Sequence, residues 1–382
     1  MTLRLMQAGL LLALAACSRA PSAAAVVARP FSVAEVAKFD APWALAFLPG
    51  SGVRLTNMAL LTEKDGKLWL VDVTTGHKQA VAGVPAVHVE GQGGLAEVVV
   101  HPDFAGNQRV YLSFPEAGPK GTSGAVVGYG RLILGQGQPR LAGFRIIWRQ
   151  VPKVSGGAHY SERIAFAPDG TMFITSGERF QFAPAQDRNV NLGKVVHLTA
   201  EGAPVPGNPW AGRGGIAATL WTYGHRNLLG LAFAPDGRLW ESEMGPMGGD
   251  EVNLIQPGKN YGWPRASNGS NYDGTDIPDH RPGDGFEPPK VWWNPSISPS
   301  SLLIYTGDLF PQWKGDALIG ALSGEAFIRV DINGDQARKA DQWPMGARIR
   351  AVDQGPRGEV YLLEDGDGGR LLRLEPQNQD RR

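Results

Sequence analysis

The chain has 382 residues, 42% of them hydrophobic, which is enough for one large folded domain or two smaller ones. Its 37 basic residues equal its 37 acidic residues, so no overall field would draw it to nucleic acid or to an acidic membrane surface. The 51 glycines and 29 prolines favour many short strands over long helices, and the composition therefore predicts an all-β protein.

The chain begins with a segment that is typical of an export signal. Arg4 gives a positive start, and the apolar run Leu10 to Ala16 is too short to span a membrane stably. The run ends at Cys17, the only cysteine, so the folded part has no disulfide and no thiolate metal site. Residues 14–17, Leu-Ala-Ala-Cys, resemble a bacterial lipobox, and ordinary cleavage without lipidation is the alternative.

This segment predicts the location of the protein. We expect residues 1–17 to be a lipoprotein signal peptide that ends at the lipidated Cys17, and residues 18–30, rich in Ala, Ser and Pro, to be a tether. The protein would then be anchored by lipid in the bacterial periplasm or cell envelope.

A short motif recurs along the rest of the chain. Phe166–Gly170 and Phe233–Gly237 share the sequence Phe-Ala-Pro-Asp-Gly, and each leads into an aliphatic-aromatic pair. Looser copies begin at Gly66, Arg109, Asp316 and Gly358. Six units of turn and strand predict a six-bladed β-propeller over residues 31–376, followed by a polar tail at 377–382. A β-sandwich or a two-domain β protein is the alternative.

The longest interval between units, from Trp240 to Ile319, predicts loops on one face of the propeller, where binding sites are built. Here Gly245-Pro246 is followed by Gly-Gly-Asp-Glu, a tight turn with outward carbonyls and two nearby carboxylates. Such oxygen ligands suit a hard cation such as calcium. On these residues alone, a surface turn with solvated acids is an equal alternative.

Five blocks, in a fixed order, resemble the soluble sugar dehydrogenases that depend on pyrroloquinoline quinone (PQQ), the glucose and aldose sugar dehydrogenases. The blocks are Gly91–Leu95 with His101–Phe104, the His159 segment, Tyr223–Asn227, Gly245–Trp263 and Arg348–Arg350. The resemblance covers nearly the whole mature chain. It implies a six-bladed propeller that binds PQQ and Ca²⁺ on its loop face.

The resemblance implies two calcium sites. The carbonyls of Gly245 and Pro246 would hold the ion that contacts PQQ, whereas Glu251 and the Tyr261 carbonyl would belong to a second, structural site. Calcium accepts both kinds of ligand at flexible geometry.

The resemblance also implies the contacts of the cofactor. Arg226, Arg348 and Arg350 match the family's arginines, whose planar guanidinium groups suit the PQQ carboxylates. Gln92 and Asn227 match polar contacts to cofactor or substrate.

His159 matches the family's catalytic base. In the implied reaction an aldose is oxidised at its anomeric carbon to the lactone, with hydride transfer to calcium-bound PQQ while His159 takes the hydroxyl proton. Arg226 would stabilise charge on the reduced cofactor. A packing histidine is the alternative, and His225, the main rival, is expected to support its loop. The implied partners are an aldose sugar, a respiratory quinone or cytochrome, and the membrane through Cys17.

The sequence departs from the family near the site. Ala158 stands where relatives usually have Asp or Asn, Glu162 where they usually have Gly, and Ser323 where they commonly carry a lysine that pairs with PQQ. Losing one partner of an anionic ligand would weaken binding by about 1.5–3 kcal/mol. Arg179 is a candidate to replace the missing charge.

Two other functions stay open at this point. A non-catalytic carbohydrate-binding propeller fits the departures at Ala158 and Ser323, although His159, Arg226 and Arg348 argue against it. A calcium-dependent propeller lactonase would place carboxylate and amide ligands on the central axis and would not need the Arg348 and Arg350 pair.

Overall fold

The computed structural model describes residues 28–50 and 55–377. The predicted signal peptide, Cys17 and most of the predicted tether lie outside these residues, as does the tail from residue 378. Six antiparallel sheets stand around a central axis, and the predicted six-bladed β-propeller is thereby confirmed.

The first strand is β1 (Phe31–Phe39), and the first three blades follow it. Blade 1 contains β2 (Pro42–Phe47), β3 (Met58–Glu63), β4 (Lys67–Asp72) and β5 (Lys78–Ala80). Blade 2 contains β6 (Val98–Val100), β7 (Arg109–Ala117), β8 (Thr122–Ile133), β9 (Arg140–Arg149) and β10 (Val154–Ser155), of which the last two both pair with β8. Blade 3 contains β11 (Ser161–Phe166), β12 (Met172–Ser176), β13 (Lys194–Leu198) and β14 (Leu220–Tyr223).

The next three blades complete the ring. Residues 228–293 contain β15 (Leu228–Phe233), β16 (Leu239–Glu243), β17 (Met247–Gly248), β18 (Asp250–Ile255), β19 (Gly269–Ser270) and β20 (Val291–Trp293). Blade 4 is formed by β15, β16, β18 and β20, while β17 and β19 pair with each other. Blade 5 contains β21 (Pro299–Ile304), β22 (Ala317–Ala321), β23 (Ala326–Asn333) and β24 (Gln336–Pro344). Blade 6 contains β25 (Ile349–Gln354), β26 (Val360–Glu364), β27 (Gly369–Pro376) and β1.

The described helices are short. They are α1 (Phe104–Asn107) and the 3₁₀ turns Pro119–Gly121, Ala183–Gln186, Ala211–Arg213, Ile216–Thr219 and Pro311–Trp313. Over residues 28–50 and 55–377, none has the length and apolar character that crossing a bilayer requires.

The ring closes because the N-terminal strand completes the last blade. β1 runs antiparallel to β27, with Phe31 opposite Pro376. The Phe31 side chain is buried and packs edge-on against Trp313, Trp343 and Phe327 at ring distances of 6.0, 5.4 and 5.8 Å. Joining the two ends of the chain in one sheet leaves no open gap between the first and last blades.

The recurring sequence motif marks a defined place in the blade. Phe166 ends β11 and Phe233 ends β15, so the Pro-Asp-Gly turn joins the innermost strand to the second strand. In blades 2 to 6 the predicted unit leads into the second strand, but in blade 1 the unit at Gly66 leads into β4, the third strand. The connection between Phe47 and Met58 has no Asp-Gly pair, which is why the motif is displaced there.

The innermost strands contact one another around the axis in the order β2, β6, β11, β15, β21 and β25. Several predicted site residues directly precede these strands: His159 before β11, Asn227 before β15 and Arg348 before β25. They therefore share the face on which the innermost strands begin. β17, β19 and the loops of the long Trp240–Ile319 interval belong to this region of blade 4.

Candidate active site

A cleft of about 490 Å³ opens at the centre of this face. All six blades contribute to its wall, through Trp43, Gln92, Ser161, Asn227, Ser298 and Arg350 in chain order. Of the predicted cofactor contacts, Gln92, Asn227, Arg348 and Arg350 line the cleft. His159 and Arg226 lie behind the wall and are joined to it by hydrogen bonds.

Arg163 closes the floor of this cleft. Its guanidinium lies 4.1 Å from the ring centre of Trp43, donates to the Leu229 carbonyl at 2.6 Å and to Glu97 at 2.8 Å, and also donates to the Ser300 carbonyl. Trp43 and Leu229 line the cleft, whereas Arg163 and Glu97 line a separate cavity of about 370 Å³ formed by the innermost strands. None of the predicted site residues lines that second cavity.

Three cationic side chains line the cleft. Arg348 and Arg350 each donate from Nε to Asp365 at 2.9 Å, so one carboxylate orients both guanidinium groups. Lys64, in the turn between β3 and β4, donates from Nζ to the Gly91 carbonyl at 2.5 Å. Burial and the nearby Arg350 lower the pKa of Lys64. The cations outnumber Asp365, and the cleft is thus suited to an anionic ligand.

Lys64 is the lysine that lines the cleft, whereas Arg179 does not reach it. Arg179 is 1% exposed, donates to the carbonyls of Ala158 at 2.8 Å and Ser123 at 2.7 Å, and does not line the cleft. The expectation that Arg179 compensates for Ser323 is therefore wrong, because its guanidinium is committed to the backbone. Ser323 itself bonds the hydroxyl of Ser298 at 2.8 Å.

His159 is held directly behind Gln92. Its backbone N–H donates to Gln92 Oε1 at 2.8 Å, and its φ of 49° turns the chain sharply at the entry to β11. The imidazole is 5% exposed, and its Nδ1 lies 2.6 Å from Glu178 Oε1. Among the described residues no hydrogen bond is formed by Nε2.

Glu178 fixes the tautomer of this histidine. Its carboxylate accepts the backbone N–H of Phe180 at 3.0 Å and of Phe182 at 2.6 Å, so it acts as an acceptor toward Nδ1–H as well. Nδ1 then carries the ring proton, and Nε2 presents a lone pair. In the catalytic triads of hydrolases a carboxylate likewise accepts Nδ1–H and orients the histidine.

Burial lowers the pKa of His159, which keeps the ring neutral at pH 7. The hydrogen bond that His159 donates to Glu178 opposes this effect, and the charges of Arg226 and Arg179 add to the lowering. A neutral imidazole with a free lone pair can accept a proton from a bound molecule. Sequence reasoning missed Glu178, which is 19 residues from His159 and meets it only through the fold.

Arg226 lies behind the wall formed by Met244 and Tyr272. Its Nη1 donates to the carbonyls of Met244 at 3.0 Å and Gly245 at 2.6 Å, and its Nη2 donates to the Tyr272 hydroxyl at 3.0 Å. The backbone N–H of Arg226 donates to Glu243 at 2.7 Å. The Gly245 carbonyl, expected as a calcium ligand, thus faces the Arg226 guanidinium.

The Gly245-Pro246 turn is rigidly placed. A Cβ on Gly245 would lie 2.3 Å from the Gly248 carbonyl oxygen, so only glycine fits. Asp250 accepts the Gly245 N–H at 2.9 Å and also the N–H of Ile297 at 2.6 Å, which ties the turn to blade 5. Pro246 is buried beside it.

Glu251 belongs to a cluster of three buried glutamates on β16 and β18. The amide nitrogen of Asn253 lies 3.1 Å from Glu241, 3.3 Å from Glu243 and 3.3 Å from Glu251. Burial raises the pKa of Glu241 and of Glu251 well above the usual range. Glu241 Oε1 and Asn253 Oδ1 are buried and have no hydrogen-bond partner among the described residues.

His225 and Tyr261 close the cluster on one side. His225 lies 2.9 Å from Glu243 through Nδ1 and stacks on Tyr261 at 4.5 Å, so it supports the loop, as expected. A ligand atom from each of His225, Glu241 and Glu243 lies within 4.8 Å of the others. Buried carboxylate oxygens without partners have the chemistry of a cation site. The alternation of acids in the strand, Glu241 and Glu243, was a signal that sequence reasoning did not use.

Comparison with known proteins gives the family. The model of the glucose/sorbosone dehydrogenase family matches residues 39–373. The aldose sugar dehydrogenase YliI of Escherichia coli is 41% identical over 347 residues, which cover 89% of this chain and 91% of that protein.

Solved structures agree with this result. The apo-form of the soluble aldose sugar dehydrogenase of Escherichia coli has a TM-score of 0.85 and 40% identity, and the match covers 91% of this chain and 100% of that one. The PQQ-bound form of the aldose sugar dehydrogenase of Streptomyces coelicolor has a TM-score of 0.75 and 29% identity, with 90% and 98% covered. The chain therefore belongs to the glucose/sorbosone dehydrogenase family, as its ordered sequence blocks predicted.

Proposed function

We propose that this protein oxidises an aldose sugar at its anomeric carbon to the lactone, with PQQ as the cofactor. The observation that carries the proposal is a neutral, carboxylate-oriented His159 directly behind a cationic cleft. The names of its relatives, aldose sugar dehydrogenase and a PQQ-bound form of one, support the same function.

The cleft fits an anionic quinone cofactor. PQQ carries three carboxylates, and Lys64, Arg348 and Arg350 present ammonium and guanidinium donors on the cleft wall. Gln92 and Asn227 add amide groups on the same wall. When bound, PQQ supplies the electrophilic quinone that takes up the two electrons of the sugar.

His159 would take the proton in this reaction. Nε2 accepts the proton of the anomeric hydroxyl while the anomeric hydrogen leaves with its electron pair, and the carbon becomes the lactone carbonyl. Glu178 holds Nδ1–H and stabilises the imidazolium that forms. Arg226, bonded to Tyr272 on the wall, contributes positive charge near the reacting groups.

Calcium fits the glutamate cluster around Glu251 better than the Gly245-Pro246 turn. Beside Glu243 and Glu251, the cluster offers two buried oxygens without partners among the described residues, Glu241 Oε1 and Asn253 Oδ1, which suits a structural ion. At the Gly245-Pro246 turn the Gly245 carbonyl already accepts from Arg226, so an ion there would share this oxygen with the guanidinium and lie close to its positive charge. We propose that calcium binds at Glu251 for stability and at Gly245 and Pro246 in the cofactor-loaded protein.

Reconstitution tests the function. The apo-protein is incubated with PQQ and Ca²⁺ and assayed against a panel of aldoses with an artificial electron acceptor. Reduction of the dye only when sugar, PQQ and Ca²⁺ are all present is the expected result, and His159→Ala should abolish it while retaining PQQ. Failure of PQQ to bind in a titration refutes the proposal.

The same assay separates the other candidates. Sugar binding without dye reduction would indicate a carbohydrate-binding propeller, and hydrolysis of a lactone would indicate a lactonase. The position of Arg163 argues against a lactonase, because its positive charge lies on the central axis where such an enzyme would hold its cation.

We also propose that lipid on Cys17 anchors the protein in the cell envelope, where a respiratory quinone or cytochrome would take the electrons. The lipobox-like sequence at residues 14–17 supports this location. Metabolic labelling with a fatty acid tests it, since Cys17→Ala should remove the label and release the protein from the membrane fraction.

A further inference from the structure

Glu162 belongs to the wall of the cleft. It is the second residue of β11, lines the cleft and is 2% exposed. Its φ of 75° and the irregular pairing between Ser161 and Ile164 set it apart from a regular strand residue. The Glu162 carbonyl accepts the Ser113 hydroxyl at 2.7 Å, so the backbone is fixed in this conformation.

Within residues 28–50 and 55–377 the carboxyl group of Glu162 has no ion-pair partner. Arg179 and Arg163 are the nearby cations, but Arg179 donates to backbone carbonyls and Arg163 donates to Glu97, Leu229 and Ser300. Glu162 Oε1 is buried and accepts or donates no hydrogen bond within the described residues. Burial raises the pKa of Glu162 well above the usual range, against the opposing effect of the two arginines. A buried, unpaired carboxylate costs several kcal/mol, so this site favours the protonated form of Glu162.

The remaining titratable groups around the cleft have partners of their own. Tyr160 bonds the Ser123 hydroxyl at 2.7 Å, Lys64 donates to the Gly91 carbonyl at 2.5 Å, and Arg348 and Arg350 bond Asp365. A protonated carboxyl has one O–H donor, and among the described residues the Glu162 side chain forms no hydrogen bond that would use it.

We propose that Glu162 contacts the cofactor as a neutral carboxylic acid and donates its O–H to an oxygen of PQQ. The inference rests on the proposed function, since an anionic quinone cofactor supplies the acceptor. In the ionised form the same side chain would repel the cofactor. Glu162 therefore makes PQQ affinity depend on pH, with tight binding while the carboxyl holds its proton and weaker binding as the pH rises through its pKa.

Titration of the full-length apo-protein with PQQ, in the presence of Ca²⁺, tests this by the quenching of tryptophan fluorescence between about pH 5 and about pH 9. The variants are Glu162→Gln, which keeps an N–H donor without a charge, and Glu162→Ala. Glu201→Gln, in an exposed ion pair with Arg109, is the matched control.

For the wild type we expect Kd to rise with pH. In Glu162→Gln the slope of log Kd against pH should be smaller by up to about one, the contribution of a single proton. Glu162→Ala should raise Kd about tenfold at the acidic end. Glu162→Gln buries no charge, so at alkaline pH it should have a higher melting temperature than the wild type. The same melting measurement shows that the variant folds.

Two failures are distinguishable. If the wild type binds PQQ and both Glu162 variants show its Kd and its pH slope, the role of Glu162 is refuted while the proposed function stands. If the wild type binds no PQQ at any pH, the proposed function fails and the inference fails with it.

Discussion

Replacing Glu178 with glutamine should lower the turnover number far more than the affinity for PQQ. Glu178 accepts Nδ1–H of His159 at 2.6 Å and two backbone N–H groups, of Phe180 and Phe182. Glutamine has only one acceptor oxygen, so it cannot satisfy all three donors and carries no charge to stabilise the imidazolium. A hydrogen bond to a charged group contributes about 1.5–3 kcal/mol, which corresponds to a loss of roughly 10- to 150-fold in kcat.

The pH profile gives a second signature of the same change. His159 must be neutral to accept a proton, so the rate falls on the acid side of its pKa. Because the Glu178 hydrogen bond raises the pKa of His159 against the effect of burial, its removal should move the acid limb to lower pH.

Steady-state kinetics of the PQQ-loaded protein, measured by dye reduction over a range of pH, would test both effects. Glu90→Gln is the matched control, since Glu90 also lies beside a histidine, His88, at 3.1 Å, but in an exposed pair that contributes little. A kcat for Glu178→Gln within about twofold of the control, or a loss confined to PQQ affinity, would refute the reasoning.

Three further changes probe the cleft, the acid cluster and ring closure. Lys64→Ala should weaken PQQ binding about 10- to 100-fold in a titration, because it removes a cation from the cleft. Lys67→Ala, on the solvent side of the same turn, should leave the affinity unchanged. Equal affinities of the two variants would exclude a contact between Lys64 and PQQ. Chelation of calcium should lower the melting temperature of the wild type, because it removes the ~2.7 kcal/mol of stability that a ligand at a hundredfold excess over Kd contributes, but it should leave the melting temperature of Glu251→Gln unchanged; identical responses would place the stabilising ion elsewhere. Phe31→Ala should destabilise the protein by about 3–5 kcal/mol in urea, because it empties the aromatic contact that closes the ring, and a change below about 1 kcal/mol would contradict this account.

The fold was predictable because the blade has a local signature. In blades 3 and 4 a Pro-Asp-Gly turn follows the innermost strand, and its Gly170 and Gly237 have φ values of 83° and 86° that favour glycine. Six copies of a local turn predict six blades without any knowledge of packing. In blade 1 the copy at Gly66 lies between the second and third strands, so the motif predicts the blade but not the position of the turn within it.

The site was predictable only where its residues lie close together in the chain. Arg348 and Arg350 are two apart and line one cleft, and the Gly245-Pro246 turn is continuous in sequence. Lys64 reaches the cleft from blade 1 and Glu178 reaches His159 from the end of a second strand. A lysine in a polar turn and a glutamate after a strand carry no local pattern, so only the closed ring identifies them as neighbours.

Arg163 divides the central channel of the propeller, with the cleft on one side and the second cavity on the other. Because its guanidinium is stacked on Trp43 and bonded to carbonyls of neighbouring blades, the central channel is a cup closed at mid-depth rather than a tunnel. In the proposed reaction, the sugar and any electron acceptor that contacts the cofactor directly would use the same opening. The sugar and the electron acceptor would then bind in the cleft one after the other, each after the other has dissociated. The reaction would therefore follow ping-pong kinetics.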